Sequence, residues 1–315
     1  MAAIPVLLLL ALAPEAQAVV PQAAPSATVR RPARKRIRIP MWADDGQPLE
    51  AKQVEAKLNG APARVVRLQG PSDPLMLLLI LDIVGDMAQA EPAREALASA
   101  IRQLPAHTHI GLMRAQDGLG VLLDPTTDRE ALAGAILAHA ASGRAGLLDT
   151  VEEATRLGDA ILAKAAVRLA VCYITDSNIT NYREDFTNPV VNSSDGRDLS
   201  RRFPEGLVRE RIARVVANLS IRQSPLFVVH LDYRSDRLNE AYQTGLLELA
   251  AATGGKAEFC RSNAEIPTAI EKMIQVIAGH WSAEVELPEK RQRQLTVQLD
   301  SGGRALSYRN RLLVE

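Results

Sequence analysis

Two unbroken apolar runs, set among amphipathic segments, organise this chain. Residues 75–82 (LMLLLILD) form a strand with no polar position before its last residue, and 167–178 (VRLAVCYITDSN) hold a second that ends on Asp176. Strands apolar on both faces belong in parallel sheets covered by helices on each side. Around them the apolar period alternates between 2 and about 3.6. It predicts helices at 88–104, 128–140, 147–165, 205–219, 239–255 and 265–281. Further strands fall at 108–116, 119–124, 225–233 and 256–260. Asp128 is placed to cap one helix, and Gly254 with Gly255 to close another. The result is a doubly wound α/β domain with a mostly parallel sheet over 73–280. Residues 37–70 and 281–315 alternate instead, with turn signals at 44–46 (DDG) and 59–60 (NG), so they predict a small β unit built from both ends of the chain.

The first residues change the cellular picture. Residues 4–13 (IPVLLLLALA) are apolar but too short to span a bilayer, and AQA at 16–18 suits cleavage. Residues 1–18 therefore predict an export signal and 19–36, rich in Pro, Ala and Arg, a solvated linker. The protein is expected in the periplasm or outside the cell, with no membrane span. Cys172 and Cys260 fall on strands that are not neighbours, so they read as small buried residues rather than a disulfide. The 37 basic residues balance 37 acidic ones, which argues against a nucleic-acid partner.

Candidate chemistry gathers beyond the carboxyl ends of the strands, where open α/β sheets bind ligands. Asp82, Asp86 and Asp176 are expected to converge there. His107 and His109 read as a solvent-facing strand start, His230 as a satisfied core histidine, and His280 as a helix end interacting with the dipole. No G-x-S-x-G, P-loop, G-x-G-x-x-G or H-E-x-x-H motif is present.

A hydrophobic strand followed by Asp82-x-x-Gly85-x-Met87 and a helix resembles the opening of a von Willebrand factor type A domain, and the order of later elements is similar. The closer resemblance is to exported bacterial proteins that carry this domain between flanking β segments. It implies a protein-binding, non-enzymatic module with a metal-ion-dependent adhesion site. Asp82 and Asp176 match that site's first and last Asp. Val84 and Asp86 stand where two Ser are expected, and Ala145 replaces the Thr. Mg²⁺ wants about six oxygen ligands, and Val84 and Ala145 offer none. Two readings follow. Asp82, Asp86 and Asp176 hold Mg²⁺ or Ca²⁺; or there is no cofactor, Asp82 and Asp176 bond helix N-termini and loop amides, and Arg144 neutralises the cluster. The expected partner is another protein, met through Asp86, Arg144, Ser177, Asn178 and the polar stretch 177–206. The alternatives are a Ca²⁺- or Mg²⁺-dependent hydrolase using the three Asp, and a purely structural envelope protein.

Overall fold

The computed structural model describes residues 35–43, 47, 49–50, 53–85, 87–182, 205–290 and 292–314. The expected signal, nearly all of the linker, the DDG turn, Asp86 and most of the 177–206 stretch lie outside the described residues.

The chain opens with four strands: β1 (Arg36–Ala43), β2 (Glu55–Leu58), β3 (Ala61–Ala63) and β4 (Val65–Gln69). Asn59 and Gly60, at φ 50° and 82°, join β2 to β3, the paired positive values that an Asn-Gly hairpin favours. The α/β domain follows as β5 (Leu75–Asp82), α1 (Met87–Arg102), β6 (Thr108–Arg114), β7 (Gly120–Thr126), α2 (Arg129–Ala138), α3 (Leu147–Lys164) and β8 (Arg168–Thr175). It continues with α4 (Glu205–Leu219), β9 (Leu226–His230), α5 (Arg237–Thr253), β10 (Ala257–Phe259) and α6 (Ile266–Gly279). Four last strands are β11 (Trp281–Glu286), β12 (Gln294–Asp300), β13 (Leu306–Tyr308) and β14 (Arg311–Leu313).

The central sheet runs β10-β9-β8-β5-β6-β7, with only β7 antiparallel. Successive side chains of a strand point to opposite faces, and β5 uses both. Leu77, Leu79 and Leu81 pack with Leu97 and Ile101 of α1 and Ile270 and Ile277 of α6. Leu78 and Ile80 pack with Val151 of α3, Ile212 of α4 and Leu246 of α5. Burying each such Leu contributes roughly 1.5–3 kcal/mol, so two-sided burial fixes the position and register of β5 and of the carboxylate that ends it.

The terminal strands interleave in two antiparallel sheets, β13-β1-β11-β4 and β14-β12-β2-β3. They share a core of Ile37, Ile39, Met41, Leu58, Val285, Leu295, Val297 and Leu312. Guanidinium groups bind this unit to the helices at the amino end of the central sheet. Arg38 of β1 donates to the Ala165 and Val167 carbonyls past α3, each at 3.2 Å. Arg309 donates to the Ser220 and Arg222 carbonyls past α4. Arg168, fully buried, donates to the carbonyls of Ala278 (2.8 Å) and His280 (2.9 Å) at the end of α6, and to those of Pro71 (3.0 Å) and Asp73 (3.1 Å).

Three local readings need adjustment. His280 is buried and pushed down to about 4 by that burial, so it is neutral. Its Nδ1 bonds the Ile277 carbonyl at 2.6 Å, and Arg168 supplies the positive charge to this helix end. His230 is buried and reaches the Ser177 carbonyl through Nε2 at 2.7 Å, but its Nδ1 has no partner. Cys260 lies one residue past β10; both thiols are buried and free, and burial pushes them up to about 12.

Candidate functional site

Asp82 ends β5 and Asp176 follows β8, the neighbouring parallel strand; Asp82 pairs with Thr175 in register. Two of the three expected carboxylates therefore meet at the carboxyl end of the sheet, and Asp86 lies outside the described residues. What surrounds them is main chain. Asp82 Oδ1 accepts from the Gly146 amide at 2.8 Å, and Oδ2 accepts from the Leu147 amide at 3.2 Å and the Thr175 hydroxyl at 2.9 Å. Gly146 and Leu147 open α3, so Asp82 sits against two unsatisfied donors at the positive end of a helix dipole. Asp176 accepts from the Val84 amide at 2.9 Å and the Gly85 amide at 2.7 Å, in the loop that leads into α1.

The approach of α3 to Asp82 depends on one residue type. A Cβ on Gly146 would stand 1.9 Å from the Ala115 carbonyl oxygen. Only glycine lets the helix start come this close to the end of β6, which brings its amides onto the carboxylate.

A buried hydroxyl chain completes the Asp82 shell. The Leu148 amide donates to Tyr182 Oη at 3.2 Å, and Tyr182 and Tyr242 are hydrogen-bonded. Tyr242 Oη lies 2.8 Å from Ser177 Oγ, and Ser177 Oγ lies 2.6 Å from Thr175 Oγ1. Each hydroxyl has one proton, an amide can only donate and an ionised carboxylate can only accept. The chain therefore runs in one direction, from Leu148 to Asp82. Burial pushes the Asp82 carboxyl up to about 6, opposed by the Gly146 amide and the Thr175 hydroxyl and aided by the nearby Asp176 charge. Burial raises Asp176 too, against the amides of Val84 and Gly85.

These surroundings correct several expectations. Ser177 and Asn178, expected at the partner-facing rim, are buried; Ser177 serves the interior relay and the Asn178 amide donates to Asn181 Oδ1 at 2.7 Å. Arg144 is exposed, and its main chain exchanges bonds with Asp117, each at 3.0 Å. Four main-chain amides, those of Gly146, Leu147, Val84 and Gly85, bond the two described carboxylates. Tyr182, Tyr242 and Gly146 are part of the site without having been singled out.

Among the described residues, Asp82 and Asp176 are poorly disposed for the divalent cation implied by the family motif. Both oxygens of Asp82 and of Asp176 already accept from protein donors, and a cation there would face N–H groups. Ala145, buried at the Thr position, and Val84 supply no oxygen. The arrangement can hold the α1 and α3 entry loops against the sheet. Among the described residues it sets no nucleophile beside a base.

A described central sheet that is parallel but for one edge strand, with one carboxylate ending its first strand in chain order and another following its fourth, matches the order anticipated from the sequence. The fold is von Willebrand factor type A-like. No protein-family model matches the chain, and no curated protein matches it. Among solved structures, the chain is similar to a von Willebrand factor type A protein from Catenulispora acidiphila, at 13% identity and a TM-score of 0.46 over 89% of this chain and 74% of that one. It is similar to the vWF domain of the type V pili tip protein Mfa5 from Porphyromonas gingivalis, at 13% identity and a TM-score of 0.43 over 65% of this chain and 95% of that one. The conserved hypothetical protein BatB from Bacteroides thetaiotaomicron gives 18% identity and a TM-score of 0.40 over 65% and 98%. No helix of the type A-like domain, nor any other among the described residues, is long and apolar enough to cross a membrane.

Proposed function

We propose that this chain is an exported, non-enzymatic protein-binding module that engages its partner, without a metal ion, at the carboxyl end of the type A-like sheet. One observation carries the reading: every oxygen of Asp82 and of Asp176 already accepts a hydrogen bond from a main-chain amide or, at Asp82, also from a hydroxyl. A rim held in this way is preformed, and preformed surfaces bind without an ordering cost. Its accessible groups include Met87, half exposed at the start of α1, and Arg144. The hydrolase alternative needs a water held between free carboxylate oxygens, and the bonding of Asp82 and Asp176 weighs against it.

The test is photocrosslinking in the native host, from a benzoylphenylalanine placed at Met87 or Arg144, with Gln103 at the far end of α1 as the control. The expected result is one shared protein adduct from Met87 and Arg144, unchanged by EDTA. An adduct only from Gln103 would overturn the assignment of the edge. An adduct that EDTA abolishes would overturn metal independence.

A further inference from the structure

β10 is the terminal strand of the central sheet. The Lys256 carbonyl accepts from the Val228 amide at 3.0 Å, and the Cys260 amide donates to the His230 carbonyl at 2.8 Å. Main-chain groups of successive strand residues alternate in direction. Those of 256, 258 and 260 therefore face β9, and those of Ala257 and Phe259 face outward, where no strand among the described residues pairs with them.

Beside that edge a groove of about 500 Å³ runs between β10 and α5, with Tyr233, Phe259 and Leu247 as its apolar lining. Leu247 is 47% exposed, large for an apolar side chain on a packed helix. Glu240, Glu258 and Arg261 are its charged members. Arg261 lies 5.4 Å from the Tyr233 ring centroid and Glu258 is shared with Lys272 at 2.9 Å, whereas the Glu240 side chain has no partner among the described residues. The groove thus offers an uncommitted carboxylate beside free main-chain donors and acceptors.

Natural sheets blunt their edges with very short strands, proline, bulges or lysine, and of these β10 shows only the short length, three residues. The opposite edge strand, β7, contains Pro125 and pairs with β6 through two register shifts. β10 has no proline and no shift in its register with β9. Lys256, which would guard it, instead places Nζ 4.5 Å from the Trp42 ring centroid in the β unit.

We propose that the β10 edge accepts an extended segment of a partner protein as a seventh strand, with alternate side chains entering the groove and a lysine or arginine meeting Glu240. This is the helix-flanked form of strand addition, in which main-chain bonds give affinity and the groove gives selectivity. It is independent of the reading at the carboxyl rim.

The probe is a fluorescein-labelled octapeptide alternating valine and lysine, followed by fluorescence anisotropy with the full chain. A copy N-methylated at alternate residues, which cannot donate along one edge, is the control. Binding of the first and not the second is expected. Ala257→Pro deletes one outward N–H while sparing every bond to β9, and about a tenfold loss of affinity is expected. Leu247→Asp and Glu240→Lys, both at exposed positions, are expected to weaken binding similarly and carry the test if Ala257→Pro fails to fold. Equal binding of the two peptides, no binding by the wild type, or wild-type affinity in all three variants would overturn the proposal. So would a wild-type dimer in sedimentation that Ala257→Pro abolishes and the peptide does not displace, because the edge would then serve a second copy. Crosslinking from Met87 in Ala257→Pro stays at the wild-type level, which separates this surface from the rim.

Discussion

The two ends of the central sheet face the same problem and answer it with opposite charges. Helices leave unpaired N–H groups at one end and unpaired carbonyls at the other. At the carboxyl end, Asp82 takes the first amides of α3, and Asp176 takes the amides of the loop before α1. At the amino end, Arg38, Arg168 and Arg309 take the carbonyls past α3, α6 and α4. The chemistry differs in one respect. A guanidinium stays charged throughout the accessible pH range, whereas burial brings the Asp82 carboxyl to about 6. One end is a fixed staple and the other responds to protons. In the intact family motif a cation would dominate the second end; here main-chain amides bond both described carboxylates.

The contrast can be broken most sharply at the amino end. Arg168→Met leaves four carbonyls, that of His280 buried and the others part-buried, without their donor, and a loss of about 3–5 kcal/mol is expected in urea unfolding. A loss below about 1 kcal/mol would mean that the staple is dispensable. Asp82→Ala should cost about 2–4 kcal/mol in the same measurement, because two helix amides and the Thr175 hydroxyl lose their acceptor. Asp82→Asn, which keeps one carbonyl oxygen, should cost about half as much.

Proton dependence sharpens the comparison further. The folded-state value of Asp82, about 6, lies above its ordinary 3.8, so its stabilisation is present below pH 4 and is lost as pH rises through 6. Its size is about 3 kcal/mol. His230 and His280 are held near 4 against an ordinary 6.5, so their contributions are present above pH 6.5 and are lost as pH falls towards 4. Acidification from pH 7 to 4 should therefore destabilise the wild type on balance, and Asp82→Asn more steeply, as read by denaturant midpoints across that window. Parallel slopes for the two proteins would contradict the assignment. The smallest effect expected concerns metal. Mg²⁺, Ca²⁺ or EDTA should shift Tm by less than about 1 °C, whereas a cation bound well above its Kd would raise it by several degrees.

The fold was legible because its signals are redundant. The apolar runs of β5 and β8 announce two-sided burial without any neighbour's help. Asp128 accepts from the Glu130 and Ala131 amides as a cap should, and Gly254 closes α5 at φ 83°. The meeting of Asp82 with Asp176 followed from strand order alone. The partners of those carboxylates were not legible, because main-chain amides leave no mark in a sequence. Tyr242 reaches Ser177 from a helix 65 residues away, and no local pattern encodes that contact. Ser177 looked like rim because it follows an Asp at a strand end. Its burial depends on Tyr242 and on His230, whose ring takes its carbonyl.

The interleaving of the terminal strands constrains how the molecule comes into being. Among the described residues β1 pairs only with β11 and β13, and its Arg36 meets Glu284 from 248 residues earlier in the chain. During synthesis β1 emerges from the ribosome long before either neighbour exists, so its ladder stays open until residues 281–308 have been made. Truncation after residue 280 would strand β1 as an unpaired ribbon rather than trim a dispensable tail. The β unit therefore closes only once β11 and β13 are available to flank β1.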